Sequence, residues 1–128
     1  MFYSYQMKLF WLFFSLLGVH WAQGQDVEWL SGQSFDFGEI EKGKPVETTF
    51  QFRNLSPSPI VIDLVRTTCG CTIPEWSKTP IEPHQIGEIK VVYDAHKSGF
   101  FRKRIKVFFE GKRKAKKLTI SGEVFGYE

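Results

Sequence analysis

The two cysteines of this chain, Cys69 and Cys71, flank a single glycine in the segment RTTCGCTIPEW, residues 66–76. Two thiols so close together could form a disulfide, hold a metal ion, act as a redox pair, or pack as small apolar side chains. In a fully extended strand, residues two apart have Cα atoms at most ~6.8 Å apart, at the outer edge of the disulfide range. Because Gly70 permits a bend that shortens this distance, a disulfide is feasible but strained.

The close spacing also limits what these cysteines could contribute. Closing a loop of about three residues would stabilise the fold by on the order of 1.6 kcal/mol at most. Tetrahedral zinc needs four ligands, and His84 and His96 follow no recognisable spacing from the cysteines. Copper(I), which accepts fewer and softer ligands, is the more plausible metal. We expect a local structural role for Cys69 and Cys71, with a redox-active or copper-binding pair as the alternative.

A dense run of basic side chains occupies residues 97–117, where Glu110 is the one acidic residue. Such a run is typical of a surface for an anionic partner, or of a solvated hairpin whose lysines keep an edge strand from pairing with other chains. We favour the solvated hairpin, and we expect no nucleic-acid binding because no aromatic residues are interleaved on its exposed face. The candidate patch comprises Arg102, Lys103, Arg104, Lys106, Lys112, Arg113, Lys114, Lys116 and Lys117.

Motifs for catalysis are missing from the sequence. There is no G-x-S-x-G, no H-E-x-x-H and no phosphate-binding loop. His84 and His96 lie in turn-like segments, and neither belongs to a recognisable motif with a nucleophile and an orienting carboxylate. The sequence therefore predicts a protein that is not an enzyme, with no cofactor and no metal site.

The N-terminal region predicts export. A lysine precedes a short apolar run at residues 9–19, which is too short for the ~20 residues of a transmembrane helix. The run fits a secretory signal, with Ala22 and Gly24 as the small residues at −3 and −1 of a cleavage site. We predict a signal peptide at residues 1–24 and a mature domain at residues 25–128, exported to the periplasm or outside the cell, where disulfides persist.

The mature chain shows apolar residues that alternate with period two, the pattern of half-buried strands. In the run IVIDLV, for example, alternation places Ile60, Ile62 and Leu64 on one face, with Val65 on the other. Segments rich in proline and glycine separate the runs, and the longest of these predicted turns is residues 73–87. Five runs alternate clearly, at residues 46–52, 60–65, 88–93, 104–109 and 118–124.

Two further short runs, VEWLS and SFDFGEI, bring the predicted count to about seven strands. No stretch of ten or more residues in the mature chain carries a helical apolar stripe. Strands at spacings of roughly 8–12 residues without helices are typical of a β-sandwich.

Several short motifs give the chain a family resemblance. They are an F-x-F-G opening, an F-x-N-x-S strand end, the T-x-C-G-C-T segment, a Y-D pair and a G-x-F-x-K start, found here at residues 35–38, 52–56, 67–72, 93–94 and 99–103. The chain resembles a bacterial family of exported proteins known only as a domain of unknown function, over about residues 27–125. This resemblance implies an all-β, immunoglobulin-like sandwich akin to the major-sperm-protein and Hydin-type domains.

The sequence and the resemblance together predict a structural or protein-interaction module of the bacterial cell envelope. Its expected partner is an unknown envelope protein or an anionic envelope polymer. Membrane contact is expected only through the signal segment before cleavage. The alternative function is that of a redox-active or copper-binding protein that uses the Cys69-Gly70-Cys71 segment.

Overall fold

The computed structural model of the protein describes residues 26–126, which form eight β-strands. The predicted signal peptide lies outside these residues. Within the described part of the chain, no helix is long and apolar enough to cross a membrane. The strands are β1 (Val27–Trp29), β2 (Ser34–Glu41), β3 (Val46–Asn54), β4 (Ile62–Thr67), β5 (Thr72–Trp76), β6 (Ile86–Tyr93), β7 (Gly99–Phe109) and β8 (Lys116–Phe125).

The strands form two four-stranded sheets that pack face to face. Sheet A has the order β1-β3-β6-β5, and sheet B has the order β2-β8-β7-β4. Neighbouring strands are antiparallel except for the parallel pair of β2 and β8. The chain passes from sheet B to sheet A through the short turn at residues 68–71, between β4 and β5. The prediction of an all-β sandwich is confirmed.

The core lies between the sheets and follows the predicted alternation. Phe50 and Phe52 of β3, Ile89 of β6, Ile105 of β7 and Ile120 of β8 are all fully buried. Each such side chain contributes roughly 1.5–3 kcal/mol relative to an exposed position. The alternating residues of these strands lie on the outer faces of the two sheets, where they are exposed or half-buried.

Strand β4 departs from the predicted alternation. The prediction that Leu64 shares the buried face of Ile62, with Val65 opposite, is wrong. A register shift between Ile62 and Leu64 places one extra residue, Asp63, in β4. An extra residue of this kind reverses the phase of the strand beyond it, so Val65 is buried and Leu64 is only half-buried.

The predicted turn at residues 73–87 contains the strand that the sequence did not reveal. β5 pairs with β6 from Thr72 opposite Tyr93 to Trp76 opposite Ile89. Its Pro74 made a strand look unlikely, but β5 is the edge of sheet A, where a missing backbone donor costs no ladder hydrogen bond. The sandwich therefore has eight strands in the described residues rather than about seven.

The two ends of the sandwich differ in the loops that they carry. The pairing of β3, β5 and β6 places the starts of β3 and β5 beside Tyr93, the end of β6. The turn at residues 68–71 therefore lies at one end, which we call the cysteine end, together with the loop at residues 94–98. The turn at residues 110–115 lies at the opposite end, which we call the hairpin end.

A buried asparagine organises the hairpin end. The Asn54 side-chain amide donates hydrogen bonds to the backbone carbonyls of Ser58 and Ile81, both at 2.9 Å. Its carbonyl oxygen accepts from the backbone N–H of Ser56 at 2.9 Å and from the hydroxyl of Ser56 at 2.7 Å. Because Asn54 is fully buried, these four bonds satisfy a polar group that would otherwise be costly to bury.

Candidate functional site

The structure joins Cys69 and Cys71 in a disulfide within the turn that connects β4 of sheet B to β5 of sheet A. The turn brings their Cα atoms to 5.2 Å, inside the usual disulfide range and shorter than an extended strand would allow. Thr67 stabilises the turn through its hydroxyl, which donates to the backbone carbonyls of Cys69 and Thr72, both at 3.2 Å. Both cysteines are half-buried, and Cys71 packs against the edge of the core.

The two histidines lie at opposite ends of the sandwich. The backbone N–H of His84 donates to the Asn54 carbonyl at the hairpin end, far from the cysteines. His96 lies in the loop at the cysteine end, where its backbone N–H donates to the carboxylate of Asp94 at 3.0 Å. Within residues 26–126, no group of three or more metal-ligating side chains comes together.

Three residues of the predicted basic patch share the outer face of sheet B. Arg102, Arg104 and Lys106 alternate along β7 with the buried side chains of the core face. They line a surface concavity of ≈ 690 Å³ together with Arg66 of β4. We call Arg66, Arg102, Arg104 and Lys106 the basic face. The remaining residues that line the concavity are Thr67, Thr68 and Phe108.

The other residues of the predicted patch, apart from Lys117 of β8, lie elsewhere. Lys103 is half-buried, on the same side of β7 as the core residue Ile105. The turn that carries Lys112 begins six residues beyond Arg104, about 20 Å along the strand. Lys112 forms an ion pair with Asp26 at 2.9 Å. The single patch expected from the sequence is therefore two separate groups, and the group at the hairpin end contains Lys112, Arg113, Lys114 and Lys116.

Sequence reasoning missed Arg66, which lies more than thirty residues before the other members of the basic face. Cross-strand pairing places Arg66 directly opposite Lys106, and Lys106 directly opposite Lys117 of β8. Three cations thus form a row across β4, β7 and β8. Like charges directly opposite one another in a sheet destabilise it, so the fold carries an energetic cost at this place.

The basic face has no neutralising partner within the described residues. No carboxylate lines its concavity, and none of its four cations forms an ion pair with any residue between 26 and 126. Arginine is well suited to such a surface because its planar guanidinium can bind a carboxylate or a phosphate through two parallel hydrogen bonds. The basic face is therefore able to bind an anionic ligand.

An aromatic side chain extends the row of cations on β7. Phe100 is one alternation before Arg102 on the same outer face, and its side chain is 85% exposed. The expectation that no aromatic residue is interleaved with the cations is wrong at this position. Phe100 borders a second concavity of ≈ 250 Å³, which is lined by the acidic residues Asp36, Glu39 and Glu123.

The family model that matches residues 29–124 is described as a protein of unknown function, DUF1573. The chain belongs to this family. The predicted resemblance to a family of unknown function is confirmed to this extent. None of the functionally curated proteins matches the chain.

Solved structures that resemble the chain have the same sandwich architecture. The PapD-like domain 7 of human CEP192 is 15% identical, with a TM-score of 0.67 over 80% of this chain and 87% of that one. A Porphyromonas gingivalis protein of unknown function is 13% identical, with a TM-score of 0.64 over 81% of this chain and 51% of that one. An MSP family member of C. elegans is 5% identical, with a TM-score of 0.51 over 80% of this chain and all of that one. The prediction of an immunoglobulin-like fold is confirmed, and these likenesses bear on the fold alone.

Proposed function

We propose that this protein is an exported, non-enzymatic interaction module of the bacterial cell envelope, and that it binds an anionic partner on its basic face. The observation that carries the proposal is the row of Arg66, Lys106 and Lys117 across three strands. Like charges held opposite one another lower the stability of the fold. The same charges increase the affinity for a negatively charged ligand. Violations of local design rules of this kind are expected at functional sites.

The immunoglobulin-like fold is compatible with a binding role. Its outer faces and loops are rigid platforms for recognition, and fold alone assigns no activity. Four of the seven residues that line the concavity around Arg102 and Arg104 are cations, which suits an anion better than a small hydrophobic substrate.

The test is binding of the protein, purified after expression of the whole chain, to immobilised poly-L-glutamate and to inorganic polyphosphate. We expect Arg102→Gln combined with Arg104→Gln to weaken binding about tenfold, since each removed charge contributes roughly 0.5–1 kcal/mol. Affinity for either probe should also fall as NaCl is raised, because salt screens exposed charges.

The matched control is Arg113→Gln combined with Lys114→Gln, which removes the same charge at the hairpin end. We expect this control to bind within twofold of the unmodified protein. Equal losses in the two double variants would mean that net charge alone attracts the polyanion. No loss in either variant would show that the basic face is not the binding site.

The second candidate function is thiol–disulfide exchange by Cys69 and Cys71. It is favoured by one observation, a half-exposed disulfide that closes a very short loop at the surface. Thiol counting on protein taken directly from its native compartment tests it. A pair that is partly reduced there, and a phenotype lost in Cys69→Ser combined with Cys71→Ser while the fold persists, would favour exchange over a structural role.

Export is tested by N-terminal sequencing of protein recovered outside the cytoplasm. Removal of the signal peptide predicts a mature protein that begins at or near Gln25. Recovery of exported protein with its first residues intact would refute the cleavage prediction.

A further inference from the structure

We infer that the anionic partner is an extended segment of an acidic protein, which lies along β7 with carboxylates at alternate positions and an apolar side chain over Phe100. This inference rests on the proposed function, because it names the partner of the same basic face. It commits to a protein segment rather than a uniformly charged polymer. The reasons are the spacing of the cations and the change in chemistry along the row.

The spacing of the cations matches that of an extended peptide. Arg102, Arg104 and Lys106 occupy alternate positions on one face of β7, and such positions recur every ~6.6–6.8 Å. An extended peptide presents its own alternate side chains with the same repeat. Acidic residues at three successive alternate positions would therefore meet all three cations without any bending of the peptide.

The chemistry of the row changes at its far end. Beyond Arg102 the next side chain is Phe100, and the concavity beside it is lined by Asp36, Glu39 and Glu123. These carboxylates would repel a fourth negative charge at that position. A uniform polyanion that followed the row would meet them, whereas a peptide can place an apolar side chain there and cover the exposed ring.

Burial of Phe100 would give the complex its apolar contact. A large aromatic side chain that is exposed on a strand face can serve as an anchor, because its burial by a partner removes a large apolar area from water. The predicted segment therefore has the pattern apolar-x-acidic-x-acidic-x-acidic, in either chain direction.

The experiment compares three synthetic peptides of equal length by fluorescence anisotropy against the whole-chain protein. The first has leucine at position 1 and glutamate at positions 3, 5 and 7. The second has the same composition with its glutamates adjacent. The third replaces the leucine of the first with serine. We expect the first peptide to bind about fivefold more tightly than either of the others.

The protein variant Phe100→Ser isolates the apolar contact. It should lower affinity for the leucine peptide about fivefold, to that of the serine peptide, and leave the affinity for the serine peptide unchanged. Ile86→Ser is the control, because Ile86 is also an exposed apolar side chain but lies on β6 of sheet A, away from the β7 row. This control should change neither affinity.

The outcomes separate the two levels of the proposal. Equal binding of the alternating and adjacent peptides would overturn this inference, and so would binding of polyphosphate that exceeds that of every peptide and ignores Phe100→Ser. In both cases, sensitivity to Arg102→Gln combined with Arg104→Gln would leave the basic face standing as an anion site. Insensitivity of all probes to that double variant would overturn the proposed function as well.

Discussion

The two outer faces of this sandwich treat their charges in opposite ways. On sheet A, the Lys90 ammonium contacts the carboxylates of Glu47 at 3.1 Å and Glu75 at 3.6 Å, and Arg53 contacts Glu28 at 3.9 Å. On sheet B, the cations of the basic face lie beside one another with no ion pair in the described residues. One face is neutralised by its own side chains, and the basic face is not neutralised by any described residue.

The comparison shows which features of a charged surface point to function. Lysine or arginine occurs on both outer faces, so the presence of a cation alone says little. The difference lies in cross-strand placement: opposite charges face one another across β5 and β6, where Glu75 is opposite Lys90, whereas like charges face one another where Arg66 is opposite Lys106. The first arrangement stabilises a sheet and the second destabilises it.

The largest predicted effect concerns the core on which both faces depend. Asn54→Ala removes four hydrogen bonds at a fully buried site and should lower the free energy of unfolding by about 2–4 kcal/mol. Urea denaturation measures this loss. Because Asn54 lies far from the basic face, the affinity of the folded protein for a polyanion should not change. A loss of affinity without a loss of stability would contradict the view that Asn54 acts on the core and not on the basic face.

The disulfide turn connects β4 of sheet B to β5 of sheet A, and its loss is the second-largest predicted change in stability. Cys69→Ser combined with Cys71→Ser should destabilise the protein by about 1.6 kcal/mol at most, because the disulfide closes a very short loop. Denaturation of the oxidised protein and of this variant gives the difference. Polyanion affinity should stay within twofold, and a larger change would mean that the turn controls the basic face.

Charge removal should change stability with opposite signs on the two faces. Lys106→Gln relieves the repulsion from Arg66 and Lys117 and should stabilise the protein by about 0.2–1 kcal/mol. Lys90→Gln removes favourable ion pairs and should destabilise it. Urea midpoints at low ionic strength measure both shifts, which should shrink in 1 M NaCl. Destabilisation by Lys106→Gln would contradict the contrast between the faces.

The smallest predicted effect is a shift in the pKa of Lys90, on the outer face of sheet A. The hydrogen bond to Glu47, together with the negative charges of Glu47 and Glu75, raises the pKa of Lys90 above its ordinary value. A raised pKa means that the contribution of Lys90 to stability is present below the unfolded-state pKa and is lost as the pH rises through the folded-state pKa. An NMR titration of the Lys90 side chain should show a higher pKa than in Glu47→Gln.

The sequence predicts the sandwich well because a buried strand face leaves a local signal. The alternation in β3, β6 and β8 identifies core residues such as Phe50, Ile89 and Ile120 without any knowledge of their partners. The failures also have local causes. Pro74 makes the edge strand β5 look like part of a turn. The extra residue Asp63 in β4 reverses which side chains face the core beyond it, whereas a prediction from alternation continues the same pattern through the strand.

The basic face could be predicted only in part, because it depends on which strands become neighbours. Alternation starting at Arg104 identifies the charged side of β7 from that residue onward, but it leaves out Phe100, four residues earlier in the same strand. Nothing in the local sequence places Arg66 beside Lys106, since cross-strand pairing joins residues forty positions apart. The linear run of basic residues also merges two groups that lie on different parts of the fold.

The most direct test of the central claim is an NMR titration of the protein with poly-L-glutamate. The basic face predicts that amide shifts change along β4 and β7, most strongly at Arg66, Arg102, Arg104 and Lys106, while Lys90 on sheet A and Lys114 at the hairpin end stay unchanged. Shift changes of equal size on both outer faces, or changes confined to the hairpin end, would contradict the account.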